Sequence, residues 1–270
     1  ANLRLGHMVV PVGATNYSHM PTEFFGVYRP EGENTILPCT WHETAISFWG
    51  EHNNWRYEVM LLPGLDSDRF SRKNWIQSGA GSPYEFKIAN SYAGAFRVDN
   101  ESVKGLRLSL SGYVGNSFSN TLSTNNNEKY KNVKGTVAIG AFDFKYDNYG
   151  LILRGSFDYG HLTDSKLITA YNMSMRKDSP SPKQSVASDA IAAGFEAGYD
   201  FFSLNEKISQ KEQKFYLFAR YDFYDSMFRV DEVTDYDWCG RHRVAVGVNY
   251  FPMKEIALKA EYAHGILRKP

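Results

Sequence analysis

Charged side chains recur along this sequence at every second residue of short segments, with apolar residues between them. Arg56 and Glu58 flank Tyr57, Arg220 and Asp222 flank Tyr221, and Lys259 and Glu261 flank Ala260. Arg154 and Asp158, Glu196 and Asp200, and the single charges Arg4, Arg107, Asp143 and Arg243 stand in the same kind of setting. Both signs on one side of a sheet admit two chemistries. They can line a wet wall whose field acts on passing ions, or they can join as cross-strand Arg–carboxylate pairs that stiffen it. Both readings stay open for each residue. The signs nearly cancel, so no strong ion preference is expected.

Other reactive residues are sparse. His161, Asp164 and the pair Asp235 and Asp237 are the only material for a rim hydrolase, and no nucleophile motif accompanies them. The expectation is therefore that the chain is not an enzyme. Seven histidines occur without metal-ligand spacing. The acidic run Asp231 to Asp237 offers oxygen ligands that suit calcium, but reads more simply as a solvated loop. No cofactor is called for. The formal net charge is zero, which gives no argument for nucleic acid as a partner.

The elements that carry these charges are strands. Successive side chains of a strand point to opposite faces. Leu106, Leu108, Leu110 and Val114 fall opposite Arg107, Ser109 and Ser111. Val244, Val246, Val248 and Tyr250 fall opposite Arg243 and Asn249. Phe215, Leu217 and Ala219 oppose Arg220 and Asp222, while Ile191, Ala193 and Phe195 oppose Glu196 and Asp200. About eleven such segments can be read, most near the roughly 9–11 residues that cross a bilayer with tilt. Aromatics are abundant, with eighteen Tyr and eighteen Phe, and several apolar stripes end in one, as membrane interfaces favour.

Connections between segments alternate. Residues 12–37, 65–83, 116–133, 162–188 and 226–238 are long, whereas 51–54, 99–102, 147–149, 204–211 and 252–254 are shorter. A transmembrane β-barrel has this rhythm, with short periplasmic turns and long extracellular loops. The expected fold is all-β, an antiparallel up-and-down barrel in one domain over 1–270, in a Gram-negative outer membrane. Both the first and the last strand then run outward. Since bacterial barrels have an even strand number, strands are expected beyond both ends, for roughly 12 to 16 in all. The same directions put Cys39 and Cys239 on one rim, where they are a disulfide or two free thiols.

The residues Gly6-His-Met-Val-Val-Pro-Val-Gly13, Phe24-Phe-Gly-Val-Tyr-Arg-Pro30 and Leu37-Pro-Cys-Thr-Trp41 resemble the porin family of Bacteroidota (Bacteroidales) outer membranes, itself similar to the phosphate-selective porins. Leu62-Pro-Gly-Leu65, Ser174 to Pro180 and Trp238-Cys-Gly-Arg241 extend the resemblance along the chain. It implies a passive channel for small hydrophilic solutes, with one loop folded into the lumen. The candidate loop is 12–37, carrying Glu23, Arg29, Glu31 and Glu33, with the alternative of an ordinary extracellular flap. An excess of Arg and Lys that would suit phosphate is absent, so that selectivity is not carried over.

Two rival readings come from other classes: a barrel hydrolase, and a scaffold subunit of a larger outer-membrane assembly. Expected partners are outer-membrane lipid, small solutes, and either other outer-membrane proteins or further copies of the chain. A short helix within 166–175 is expected in the fourth long loop, with an irregular Ser179-Pro-Ser-Pro182 after it. A polar loop is expected around Asn125-Asn-Asn127.

Overall fold

The computed structural model describes residues 1–81, 89–120, 128–174, 185–205 and 213–268. Residues 125–127 and 179–182 lie outside these. Eleven strands form one antiparallel sheet in which every neighbour in space is the neighbour in sequence. They are β1 (Asn2–Val9), β2 (His42–His52), β3 (Trp55–Pro63), β4 (Tyr92–Val103), β5 (Leu106–Asn116), β6 (Thr136–Asn148), β7 (Leu151–Leu162), β8 (Asp189–Asp200), β9 (Lys214–Arg229), β10 (Gly240–Met253) and β11 (Ile256–Leu267). The sheet is open in its pairing: β1 pairs with β2 and β11 with β10. Among the described residues no helix is long and apolar enough to cross a membrane.

Period-2 alternation sorts the two faces. Leu5, Ile46, Val59, Leu61, Phe96, Leu110, Phe142, Phe157, Phe195, Leu217 and Val246 all point outward and stay exposed. The inward face buries Glu58, Arg97, Asp143, Asp158, Glu196, Arg220 and Asp222. A soluble sheet does the opposite, burying its apolar face. This inversion is that of a membrane barrel, with an apolar band outside and a polar interior.

Short turns carry the expected strain relief. Asn53 at the β2–β3 turn has φ 51°, Gly105 at β4–β5 has 77°, and Tyr149 and Gly150 at β6–β7 have 53° and 73°. The left-handed conformation fits two-residue hairpins.

The long loops do not simply project outward. Residues 10–41 descend into the lumen, forming the short helices α1 (Ala14–Tyr17) and α2 (Glu31–Ile36). Residues 64–81 cross the mouth of the barrel, and α3 (Ser165–Ser174) closes over them. Together they build an apolar core at the long-loop end, around Val12, Ile36, Trp41, Leu65, Phe70, Trp75, Ile76, Ile168 and Met227. Trp75 is fully buried, lies flat against the missing side chain of Gly160, and donates its indole N–H to the Ala187 carbonyl at 3.1 Å. Asn172 of α3 donates to the Ser67 carbonyl at 3.1 Å, and Ser226 of β9 to the Arg72 carbonyl at 2.6 Å. The crossing loop thus ties both walls together.

Candidate functional site

Register places the inward charges in rows across the wall. Arg107, Lys145, Arg154, Glu196 and Arg220 are successive partners on β5 to β9. One row nearer the long loops, Arg56, Asp99, Ser109, Asp143, Ser156, Gly194, Asp222 and Arg243 pair in turn from β3 to β10. A mainly basic row therefore lies beside a mainly acidic one, and neighbours join. Arg220 grips Asp222 with two bonds of 2.7 Å, and Arg154 bonds Glu196. Arg56 reaches Glu58 at 2.8 Å and Asp99 at 3.5 Å. Arg4, on the edge strand and 44% exposed, approaches Glu58 at 3.7 Å. Arg107 lies 3.8 Å from Asp143.

The inserted loop docks on both walls. On one side Arg97, fully buried, donates to Asp99 at 2.8 Å, to Asp143 at 3.1 Å and to the Gly13 carbonyl at 3.0 Å. The Tyr17 ring lies 4.5 Å from the guanidinium of Arg97, 5.5 Å from that of Arg56 and 5.7 Å from that of Arg107. Cation–π attraction of this kind is worth about 0.5–2 kcal/mol per contact. On the other side Phe25 stacks on Phe218 at 5.5 Å and sits over Gly198, where a Cβ would lie 2.2 Å from its ring. Lys259 donates to the Phe24 carbonyl at 2.5 Å and the Gly26 carbonyl at 3.0 Å, while Glu261 accepts from the Val27 N–H at 2.9 Å.

The acids of the loop have separate tasks. Glu33 is buried and accepts hydrogen bonds from the N–H groups of Ala14, Thr15 and Asn16 and from the Thr15 hydroxyl. Burial pushes its carboxyl up to about 7, against those hydrogen bonds and with the negative field of Asp143 adding to the rise. Glu31 accepts from Tyr224 at 2.5 Å and from Arg243 at 3.1 Å; Arg243 also holds Glu261 at 2.6 Å. Glu23 accepts from the Met20 N–H at 3.0 Å. Arg29 lies at the rim, donating to Cys39 Sγ at 2.8 Å and Thr40 Oγ1 at 2.6 Å.

A cavity of about 140 Å³ remains between the loop and the wall. Glu23, Phe24 and Pro30 border it on the loop side, and Arg107, Asp143, Lys145, Arg154, Glu196 and Arg220 on the wall. Four cations and three carboxylates line it, several already in contact, as Arg154 is with Glu196 and Arg107 with Asp143. Asp158, deeper in the acidic wall, has both oxygens buried without a hydrogen-bond partner.

Of the two alternatives for Cys39 and Cys239, the structure has two free thiols. Cys239 is buried under the crossing loop, its Sγ 3.4 Å from the Arg72 carbonyl, and burial pushes it up to about 11; Cys39 is exposed beside Arg29. Asp200 is a turn cap rather than a free wall charge, accepting from the N–H groups of Phe202 and Phe215 at 3.0 Å each. The hydrolase candidates do not converge. His161 faces outward and bonds Asp189 at 2.9 Å, Asp164 accepts from the Lys134 and Gly135 N–H groups, and Asp235 and Asp237 are both held by Arg268. That last clamp also engages the acids considered for calcium. Asp99 and Lys145 belong to the charged rows, and Arg97 pairs with Glu58 one row further toward the long loops, but none of the three was among the predicted wall residues. Their signal was present, since Arg97 and Asp99 alternate with Phe96 and Val98.

No family model matches the chain. It is 25% identical over 272 residues to an uncharacterized protein of Aquifex aeolicus, covering 96% of this chain and 57% of that protein. The chain thus spans little more than half the length of this relative. Among solved structures it is similar to OmpT, an outer membrane protein of Vibrio cholerae. The TM-score is 0.51 at 13% identity, covering 98% of this chain and 66% of the other. A loop-deletion mutant of that protein gives a TM-score of 0.52 at 12% identity, over 97% and 69%. The fold is that of an outer-membrane β-barrel, with minor helices. The expectation of no enzymatic activity is corrected at this point. A likeness to OmpT at this identity gives a fold and no activity, so a barrel hydrolase stands beside a channel as a reading of the same fold.

Proposed function

We propose that the chain forms most of an outer-membrane diffusion channel for small hydrophilic solutes, narrowed by the inserted loop 12–37. The observation that supports this most is the charged cavity between that loop and the wall. Its lining, four cations against three carboxylates, sets fixed charge of both signs around solvent-sized space, as the walls of diffusive pores do. The near balance argues for weak ion preference. The long loops are placed on the extracellular side and the short turns on the periplasmic side, as barrels of this kind arrange them.

In hydrocarbon, each unpaired backbone group of β1 and β11 would cost several kcal/mol. This supports closure by further strands, giving roughly 12 to 16. The resemblance of residues 6–41 to Bacteroidota porins supports the same channel reading.

Liposome swelling tests the reading. Vesicles carrying the full-length protein should swell in isotonic arabinose faster than empty vesicles and slower in a trisaccharide. Swelling indistinguishable from empty vesicles, together with turnover of peptide or ester reporters, would replace the channel by a barrel hydrolase. Neither activity, with copurification of another membrane protein at fixed ratio, would favour a scaffold subunit.

A further inference from the structure

Five of the seven histidines occupy one level of the wall. His7, His42, His161, His242 and His264 each lie within three residues of the long-loop end of their strand. Each has the parity of exposed outward residues: Leu5, Ile46, Phe157, Val244 and Tyr262. The short-turn end is bordered differently, by the outward rings of Trp55, Tyr57, Tyr146, Tyr199, Phe215 and Tyr250. Rings stand at both borders, since Tyr92, Tyr159 and Phe223 share the long-loop level, but imidazole is concentrated there, with His52 at the short-turn end.

Anchoring at an interface needs only amphipathic rings such as Tyr and Trp. Imidazole adds N–H donors and a charge that changes between about pH 5 and 8. The histidines also have polar company. Arg229, exposed at the top of β9, is the register partner of Asp189, which is in turn the partner of His161. His242 bonds the Tyr221 hydroxyl at 2.7 Å. On the far strands His7 stacks on His42 at 5.8 Å.

We propose that the outward long-loop rim binds anionic, phosphate-bearing lipid headgroups through these five histidines and Arg229. The inference rests on the reading that this wall spans a bilayer. A phosphate accepts from several N–H donors at once and complements imidazolium and guanidinium charge, whereas a zwitterionic headgroup offers no net charge to match. The groups facing these rings are Asp189 and Tyr159 at His161, Tyr221 at His242, His42 and Thr44 at His7, His19 at His42, and His242, Val244 and Val246 beside His264. Asp189 is the one carboxylate among them, and it also accepts from Tyr159 and Ser188.

The test uses full-length protein in phosphatidylcholine bilayers and compares motionally restricted spin-labelled phosphatidylglycerol with phosphatidylcholine. The expected preference for phosphatidylglycerol is about threefold at pH 5.5. In H161N/H242N/H264N it should fall to about half at pH 5.5, with β-sheet circular dichroism and insertion unchanged. Inorganic phosphate at equal concentration should leave it intact. Equal association of both lipids at pH 5.5, an unchanged preference in the triple variant, or full competition by free phosphate would each overturn the proposal. So would crosslinking of position 161 between two copies with no lipid preference. Failure to insert into phosphatidylcholine would instead overturn the membrane reading beneath it.

Discussion

At the residue scale, placement decides chemistry more than residue type does. Two cysteines on one rim looked able to pair, yet one lies beneath a loop and the other in solvent. A thiol-specific maleimide at pH 7.5 should therefore modify Cys39 alone in the folded protein and both after denaturation. Failure to label either without reductant would contradict this. Glu33 is the other telling residue. Its carboxyl is held at about 7 by burial, above the ordinary 4.5. A carboxyl raised on docking favours the docked state while protonated. That contribution is complete below about pH 4.5 and lost as pH rises through about 7, a change on the order of a few kcal/mol. Hydrogen exchange of residues 13–17 should accordingly speed up between pH 5 and pH 8 beyond the intrinsic chemical rate. E33Q should flatten that excess; an equal excess in the variant would sink the assignment.

At the element scale, the strands were the legible part. Outward stripes such as Leu106, Leu108 and Leu110 repeat with period 2, and that period is a backbone property readable without any partner. Loop 12–37 was half legible: its apolar Phe24-Phe25 and the porin resemblance suited an inserted loop, while an ordinary extracellular flap stayed open. The crossing loop 64–81 did not. Leu65, Phe70, Trp75 and Ile76 follow no period, and they share one buried cluster with residues far off in sequence, such as Leu162, Ile168 and Met227. What closes the mouth is tertiary packing, which single-segment patterns do not encode. Trp75 on Gly160 is its sharpest contact, since a Cβ there would stand 2.1 Å from the indole. G160A should cost about 1–3 kcal/mol by overpacking and loosen the crossing loop. Trypsin cleavage after Arg72 or Lys73 should then be several-fold faster than in the native chain, while the barrel stays resistant. Unchanged cleavage would mean the loop is held elsewhere.

At the scale of the whole molecule, the polar interior and apolar exterior follow from the alternation of the strands, and the up-and-down order from their short turns. Selectivity was not legible, for a physical reason. The row Arg107, Lys145, Arg154, Glu196, Arg220 arises only from the pairing register, and the loop that covers it approaches from the opposite end of the chain. The central claim is that this charged, loop-narrowed interior conducts. Single-channel recording of the full-length protein in a planar bilayer tests it most directly. The account predicts discrete conductance steps, a reversal potential within a few millivolts of zero in a tenfold potassium chloride gradient because the lining charges nearly cancel, and larger steps when Phe24 and Phe25 are replaced by Gly. A flat current in the complete, inserted protein, unchanged by F24G/F25G, would contradict it.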